Sequence, residues 1–432
     1  MQGATTAVAC VSGSRISPTC RGRPALLLQI LSAGCLLAAV LPAVGVASST
    51  PTTAACAAAV PSTCFGNLSL DELGEPVNPP EVMARCQYGS LPGGWLSAPN
   101  FTEWAQDAAN GGLAADWDNK PFGEPHPMLP HSKDFKTAPF GSMRQTWDPA
   151  CQTRNLIAQY LSGSKASTPP RESVRVLTFG DSTDAFMLHF LVQHLHRVLG
   201  GNITKAFKAV FANASLVFHD KLADFGPQAP LNRMVTTAGL ILFQKFITEL
   251  RNREETVKRV ADARRQYTEV MGKGSEPHII VVHNLHWALQ YLARDDAHKH
   301  VFSSGNMLPP AYVASYMRDL AFLAQEVRKA FPGVLITTHT AAMPRFDPHF
   351  AKSADVGRRV WMDTRFVAQL NDAIRMASRA LRMPLVDWDG VTHGLLPKWY
   401  TYDDIHVSDW CLFEFFNMVL NLADDDIKAR VS

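Results

Sequence analysis

The sequence lacks the charge excess that a polyanionic partner requires. In 432 residues, 41 Lys and Arg side chains balance 39 Asp and Glu side chains, and no basic tract is present. Because contacts from Lys and Arg to phosphates dominate nucleic-acid binding, we expect no nucleic-acid partner. The chain also lacks the glycine motifs that bind phosphates or dinucleotides, and it has no internal repeat.

Metal-binding motifs are missing as well, although the chain has 15 histidines. The densest group, from His283 to His300, contains neither a His-Glu-X-X-His pattern nor a cysteine pair. His283 and His286 follow an apolar run, whereas His298 and His300 fall in a charged segment, so a shared face is not expected. We predict no metal site and no tightly bound cofactor.

One long apolar run is present near the N-terminus. Three arginines precede it, and the segment Pro24 to Ser49 carries no charge. Roughly twenty apolar residues are enough to span a bilayer. Positive charge on the N-terminal side favours an uncleaved type II signal anchor, while small residues around Ala47 favour cleavage as a signal peptide. Both readings send the rest of the chain to the secretory pathway, and secretion is the alternative location.

Features of a luminal chain follow this run. Glycosylation sequons of the form Asn-X-Ser/Thr occur at Asn67, Asn100, Asn202 and Asn213. An oxidising lumen would permit two disulfides and one free thiol among the five cysteines beyond the run, Cys56, Cys64, Cys86, Cys151 and Cys411. Their spacing does not determine which ones pair.

Composition and periodicity divide the chain. Proline, glycine and short apolar runs dominate before residue 170, and apolar runs then alternate with helical patterns, including a strand Val174–Phe179 and a long helix from about Ala238 to Tyr267. This alternation predicts an α/β fold with a mostly parallel sheet covered on both faces. The predicted segments are a cytoplasmic region 1–23, an anchor 24–47, a linker 48–61, a loop-rich, disulfide-containing N-terminal lobe 62–170 and an α/β domain 171–432.

The stretch "VLTFGDSTDAF", Val176 to Phe186, carries the first candidate for chemistry. Ser182 follows a predicted strand and precedes a predicted helix, so it lies where active groups collect in parallel α/β sheets. The partial positive charge of a helix N-terminus would stabilise an oxyanion there. An ordinary helix cap explains the same Gly-Asp-Ser triplet without catalysis.

A base for Ser182 is available near the other end of the chain. In "WYTYDDIHVSDWC", Trp399 to Cys411, Asp403 and His406 form an Asp-X-X-His pair. One segment can then deliver both an imidazole and the carboxylate that orients it. The combination predicts a Ser-His-Asp site, and we rank it above the reading in which these residues are caps and satisfied polar groups.

The motifs resemble those of the GDSL/SGNH hydrolase superfamily, and more closely the trichome-birefringence-like and PC-esterase families of polysaccharide O-acetyltransferases. The matching segments lie between Trp147 and Leu422. Besides the Gly-Asp-Ser triplet they are Trp147–Cys151, "HIIVVHNLHWAL", "THTAAMPRFDP" and "DWCL". The chain resembles a divergent member of these families. It has one residue fewer than their motif between Pro149 and Cys151, and three additional residues separate His406 from Trp410.

This resemblance implies an SGNH-like, flavodoxin-like three-layer fold and a Golgi membrane enzyme with a luminal catalytic domain. Ser182 would be the nucleophile, His406 the general base and Asp403 its orienter. The oxyanion would be bound by the N–H of Ser182, the side-chain amide of Asn284, and a glycine that is either Gly226 or Gly239. In an alternative alignment Asp409 takes the place of the histidine.

The implied reaction moves an acetyl group from a donor such as acetyl-CoA to a hydroxyl of a glycan or polysaccharide. A secreted carbohydrate esterase is the first alternative, and an inactive glycan-binding luminal protein is the second. Trp287 and His286 either line the acyl or sugar pocket or belong to the core. Arg345 either binds an acidic sugar or donor phosphate or forms a surface salt bridge.

Overall fold

The strands and helices alternate along the chain as predicted. The computed structural model describes residues 68–90, 94–95, 143–144, 151, 153–154, 156–157, 173–188, 191, 231–235, 239–294, 307–344, 363–392 and 409–431. Within these residues the strands are β1 Gly94–Trp95, β2 Met143–Arg144, β3 Val174–Gly180, β4 Asn232–Val235, β5 Leu240–Phe246, β6 Ile279–Val282, β7 Leu335–His339 and β8 Leu385–Val386.

Six of these strands form one sheet in the order β4-β5-β3-β6-β7-β8, and β1 pairs with β2 in a separate antiparallel ribbon. Strands β5, β3, β6, β7 and β8 are parallel, and only the β4 to β5 pairing in this sheet is antiparallel. Numbered along the chain, the parallel strands have the order 2-1-3-4-5, which is the flavodoxin-like order. The chain changes direction across the sheet between β3 and β6, and this switch point is where such folds bind ligands.

Helices cover both faces of the sheet. Their bounds among the described residues are α1 Arg253–Met271, α2 His286–Arg294, α3 Pro310–Ala330, α4 Thr364–Ala380, α5 Trp388–Thr392 and α6 Asp409–Val431. Leu177 and Phe179 of β3 pack in a core with α1, α3 and α4, while Val174 and Val176 pack in a second core with α6. Side chains alternate across a strand, so both faces of β3 are apolar and buried, and the predicted mostly parallel α/β sheet with helices on both faces is confirmed.

Residues 68–90, from the predicted N-terminal lobe, pack against this α/β unit. They contain two short 3-10 helices, Leu70–Leu73 and Pro80–Ala84. The buried side chain of Asn78 donates to the carbonyls of Ile336 and Arg382, at 2.6 and 2.8 Å. Cys86 forms a disulfide with Cys151, a pairing that the spacing did not determine.

The helix predicted from about Ala238 to Tyr267 was wrong in its first half. Residues Leu240–Phe246 form the buried strand β5, which pairs with β3 along its whole length. A short apolar run has no periodicity that distinguishes a buried strand from a helix. Helix α1 begins only at Arg253, where the side chain of Asn252 accepts a hydrogen bond from the N–H of Glu255 at 3.0 Å.

None of the helices among the described residues is long and apolar enough to cross a membrane. The predicted anchor, residues 24–47, lies outside these residues, as does the predicted linker. The four predicted sequon asparagines, Asn67, Asn100, Asn202 and Asn213, also lie outside them.

Candidate functional site

The turn after β3 is built by two aspartates. Residues 182–188 are helical, and Asp181 caps this helix by accepting a hydrogen bond from the N–H of Thr183 at 2.8 Å. Asp184 reaches back and accepts from the N–H of Asp181 at 3.1 Å. This reciprocal pair is a capping box, and it makes Ser182 the first helical residue. The N–H of a residue in this position has no partner inside its own helix and can bind an anion.

Gly180 is required by the packing of this turn. A Cβ atom at this position would lie 2.0 Å from Oδ2 of Asp184, far inside van der Waals contact. Only glycine leaves space for the carboxylate to cap the turn. Capping and packing therefore explain three residues of the Gly-Asp-Ser-Thr-Asp sequence but not Ser182 and Thr183.

The turn is tied to the next strand across the switch point. Oδ2 of Asp181 accepts hydrogen bonds from the N–H groups of Leu285 and His286, at 3.2 and 3.1 Å. These two residues lie between the end of β6 and the first turn of α2. One buried carboxylate thus caps the helix that carries Ser182 and also receives the start of α2.

Ser182 and Trp287 face each other at this junction, and both are partly exposed. The indole Nε1–H of Trp287 donates to Oγ of Ser182 at 3.1 Å. The indole packs edge-to-face on Phe246, with ring centroids 5.5 Å apart, and lies 5.7 Å from the ring of Tyr291. The Ser182 oxygen accepts in this bond, so its hydroxyl hydrogen remains available to a base.

A second polar group lies beneath this junction. We call Asp184, His283 and His339 the Asp184 cluster; their side chains are at most 1% exposed. Oδ2 of Asp184 lies 3.0 Å from Nδ1 of His283, and Oδ1 lies 2.9 Å from Nε2 of His339. The cluster joins the ends of β3, β6 and β7. Both oxygens of one buried carboxylate are thereby satisfied, as a buried charge requires.

The cluster holds charge in spite of its burial. Burial raises the pKa of the Asp184 carboxyl, but the two imidazoles outweigh it and hold that pKa well below its ordinary value. Burial likewise lowers the pKa of His283, yet Asp184 raises it above its ordinary value. Burial and the charge of His283 lower the pKa of His339. These directions favour an ionised Asp184 paired with a protonated His283.

The residue types of this cluster could also ligate a transition metal, and their ligand atoms lie within 4.8 Å of one another. The two imidazole rings, however, are stacked with centroids 3.8 Å apart and planes 27° apart. A metal ion lies near the plane of each imidazole that binds it, and stacked rings direct their lone pairs side by side. The geometry fits two N–H donors on one carboxylate better than it fits a metal centre.

A charged cluster follows the last two strands. The guanidinium of Arg375 donates to Asp387 at 2.7 and 2.9 Å and to Asp389 at 2.6 Å. Thr340 donates its hydroxyl to Asp387 at 2.9 Å and accepts the N–H of Asp389 at 2.8 Å. Burial lowers the pKa of Arg375, but hydrogen bonds to Asp387 and Asp389 raise it above its ordinary value. These contacts fix the loop after β8 at the same edge of the sheet as Ser182.

The predicted site residues on β6 and α2 lie beside Ser182 in different environments. Asn284 is fully buried, and its side-chain amide donates to the carbonyls of Ile247 and Thr248 at 2.8 and 3.4 Å. His286 is buried and bonds Asp181 only through its backbone. The oxyanion role of Asn284 and the pocket role of His286 stay predictions.

The candidacy of Gly239 for the oxyanion hole was wrong. Gly239 precedes β5, and its carbonyl accepts the N–H of Val174, the first residue of β3. Ser182 follows the opposite end of β3, about 20 Å away along the strands. With a φ of 92°, Gly239 serves a turn at the amino edge of the sheet.

Four other predicted site residues lie outside the described residues: Asp403, His406, Gly226 and Arg345. We therefore keep four roles as predictions: His406 as the general base, Asp403 as its orienter, Gly226 as an oxyanion donor and Arg345 as a substrate contact. Asp409 is the first residue of α6.

The Asp184 cluster was missed in the sequence, although a signal for it exists. His283 follows β6 directly, and His339 is the last residue of β7. Parallel strands present their carboxyl ends at one edge, so histidines at two such ends can approach each other, a signal that the sequence interpretation did not use. Asp184 occupies the third helical position, where a capping-box side chain turns back toward the strand.

The sequence matches no protein-family model, and a search of the curated proteins finds no similar chain.

Proposed function

We propose that this chain is a serine-dependent acyltransferase that moves an acetyl group to a glycan hydroxyl in the secretory pathway. The observation that carries the proposal is the position of Ser182. Ser182 is the first residue of a helix at the topological switch point, it is partly exposed, and its Oγ accepts a hydrogen bond from an indole N–H. The two aspartates beside it are occupied by caps and buried bonds, whereas the Ser182 hydroxyl is left for chemistry.

The reaction would proceed through an acyl-serine intermediate. Ser182 Oγ attacks the carbonyl of the acetyl donor, and its proton passes to the predicted base, His406, which Asp403 orients. The positive end of the helix faces the developing oxyanion. The leaving group of the donor departs with the proton held by His406, and a sugar hydroxyl, deprotonated by His406, then takes the acetyl group while Ser182 Oγ regains a proton from His406.

The glycan acceptor and the Golgi location depend on the resemblance to polysaccharide O-acetyltransferases and on the apolar N-terminal run. A carbohydrate esterase shares the first half of the reaction and differs only in that water attacks the acyl-enzyme. Which of the two reactions occurs depends on whether the site positions a sugar hydroxyl or water against the acyl-enzyme.

A serine-reactive fluorophosphonate probe tests the proposal. Full-length wild-type protein would be compared with Ser182→Ala and His406→Ala, and the adduct would be located by peptide mass spectrometry. We expect labelling of Ser182 in wild type and none at this position in either variant. A folded wild-type protein that takes no label would contradict the proposal. With labelling established, release of acetate in the presence and absence of glycans separates transfer from hydrolysis.

A further inference from the structure

We infer that Trp287 is a catalytic residue whose indole N–H binds the oxyanion in place of the Asn284 amide. This inference rests on the proposed acyl-serine function and names a donor that the sequence motifs did not suggest. It assigns to Trp287 a hydrogen bond in the transition state rather than stacking against a sugar.

The side chain of Asn284 is already committed elsewhere. It is 0% exposed, and its NH2 group donates to the carbonyl of Ile247 at 2.8 Å and, more weakly, to that of Thr248 at 3.4 Å. Turning this amide toward Ser182 would leave the buried carbonyl of Ile247 without its donor, which destabilises the folded chain. A preorganised oxyanion donor must avoid such a cost.

The indole N–H of Trp287 already points at the reacting oxygen of Ser182 and needs only a small shift to reach the oxyanion. Its Nε1 lies 3.1 Å from Oγ of Ser182, the atom that would bond to the acyl carbon. In the tetrahedral intermediate the oxyanion is attached to that same carbon, so a donor beside Oγ is also beside the oxyanion. An indole N–H can only donate, and it therefore cannot act as a competing base.

The packing of Trp287 keeps this donor in place. Edge-to-face contact with Phe246, at an interplanar angle of 89°, and contact with Tyr291 one turn later on α2 hold the ring on two sides. The backbone of α2 is fixed by Asp181, which accepts the N–H of His286. Asp181 thus positions both the helix of Ser182 and the helix of Trp287, and the two groups keep their separation as the reaction proceeds.

The step balances as follows. A bond forms between Ser182 Oγ and the acyl carbon, the hydroxyl proton passes to the base, and the carbonyl π electrons move to the carbonyl oxygen. As Oγ becomes an ether-like oxygen, the indole N–H shifts from Oγ to the new oxyanion, which the N–H of Ser182 also binds. Collapse breaks the bond between the acyl carbon and the leaving group of the donor, and that group takes the proton from the base.

The test compares full-length wild type with Trp287→Phe in steady-state hydrolysis of p-nitrophenyl acetate. Removal of one oxyanion donor should lower kcat on the order of 10²-fold and change KM little, because the bond forms only in the transition state. Trp388→Phe is the matched control: it makes the same substitution at a buried indole whose Nε1 has no hydrogen-bond partner among the described residues, and it should keep wild-type kcat. A Trp287→Phe variant with wild-type kcat would overturn the inference.

A second variant of Trp287 distinguishes the loss of the N–H donor from a change in packing. The indole of Trp287 would be replaced by benzothiophene, in which sulfur stands for the N–H and the ring shape is kept. We expect a loss of kcat like that of Trp287→Phe, whereas full kcat would overturn the inference and leave the proposed function standing. If wild type neither turns over the ester nor takes the fluorophosphonate on Ser182, the proposed function and this inference both fail.

Discussion

Two sets of polar side chains at one edge of the sheet differ in their burial and in their hydrogen bonds. In the Asp184 cluster the side chains of Asp184, His283 and His339 are buried, and both carboxylate oxygens are paired. Ser182 and Trp287, which come from the ends of the same strands β3 and β6, are partly exposed and share a single hydrogen bond. The first group is a buried structural joint, in which Nε2 of His283 has no hydrogen-bond partner among the described residues, and the second group is partly exposed.

This difference distinguishes residues that stabilise the turn after β3 from the residue of that turn that is proposed to carry the chemistry. Gly180, Asp181 and Asp184 are explained by capping and close packing, because each has a contact that no other residue type would reproduce. Ser182 instead accepts a hydrogen bond from the indole N–H of Trp287, outside the turn. Changes to the buried group should therefore lower the free energy of unfolding, whereas changes to the exposed pair should lower turnover.

The largest expected effect is on turnover. Ser182→Ala should lower kcat for an activated acetyl ester by a factor on the order of 10³ to 10⁶, since the nucleophile itself is lost. The same variant should unfold at a urea concentration close to that of wild type, because Oγ is only partly buried. A large loss of stability in Ser182→Ala would break the comparison by showing that this serine is structural.

Asp184→Ala should instead lower the free energy of unfolding. Removing one partner from a buried ion pair costs about 3–5 kcal/mol in the free energy of unfolding. Urea denaturation followed by circular dichroism measures this cost, and Glu254→Ala, at a fully exposed ion pair on α1, is the control with a change within about 0.5 kcal/mol. If Asp184→Ala is as stable as the control, the cluster is not a structural joint.

Gly180→Ala should cost less than the loss of the carboxylate. The added methyl group would meet Asp184 Oδ2 at 2.0 Å, so the turn must shift. Overpacking of this kind costs about 1–3 kcal/mol. The same urea titration applies, and Gly272→Ala, where no atom lies within 4 Å of the added Cβ, reports the cost of a positive φ alone. A Gly180→Ala variant as stable as wild type would contradict the packing argument.

The smallest expected effect is a pH dependence that the cluster imposes on stability. The pKa of His283 is raised in the folded chain by Asp184 against the opposing effect of burial. Its contribution is therefore fully present below about pH 6.5, the ordinary value, and is lost as pH rises through the raised pKa. The stability gap between wild type and Asp184→Ala should shrink as pH rises above about 6.5, by at most about 1.4 kcal/mol per pH unit. A gap that widens with pH would contradict this sign.

The sequence predicted the parts of the site that follow from local order. An apolar run followed by Gly-Asp-Ser predicted the strand, the turn and a helix after Ser182, which in the structure already begins at Ser182, and the alternation of runs predicted a parallel sheet. It did not predict β5, because seven consecutive apolar or amphipathic residues carry no period. It did not predict the partner of Trp287 or the buried orientation of Asn284 either, since both depend on contacts between β5, α2 and the turn after β3.

The most direct test of the central claim is to trap the acyl-enzyme. Full-length protein mixed with an activated acetyl ester would be quenched in acid within the first turnover and digested for mass spectrometry. The account predicts one acetyl group on Ser182, formed on the timescale of the burst and absent in Ser182→Ala. Turnover without an acetyl group on Ser182, or an acetyl group that forms equally fast on another residue of Ser182→Ala, would contradict the account.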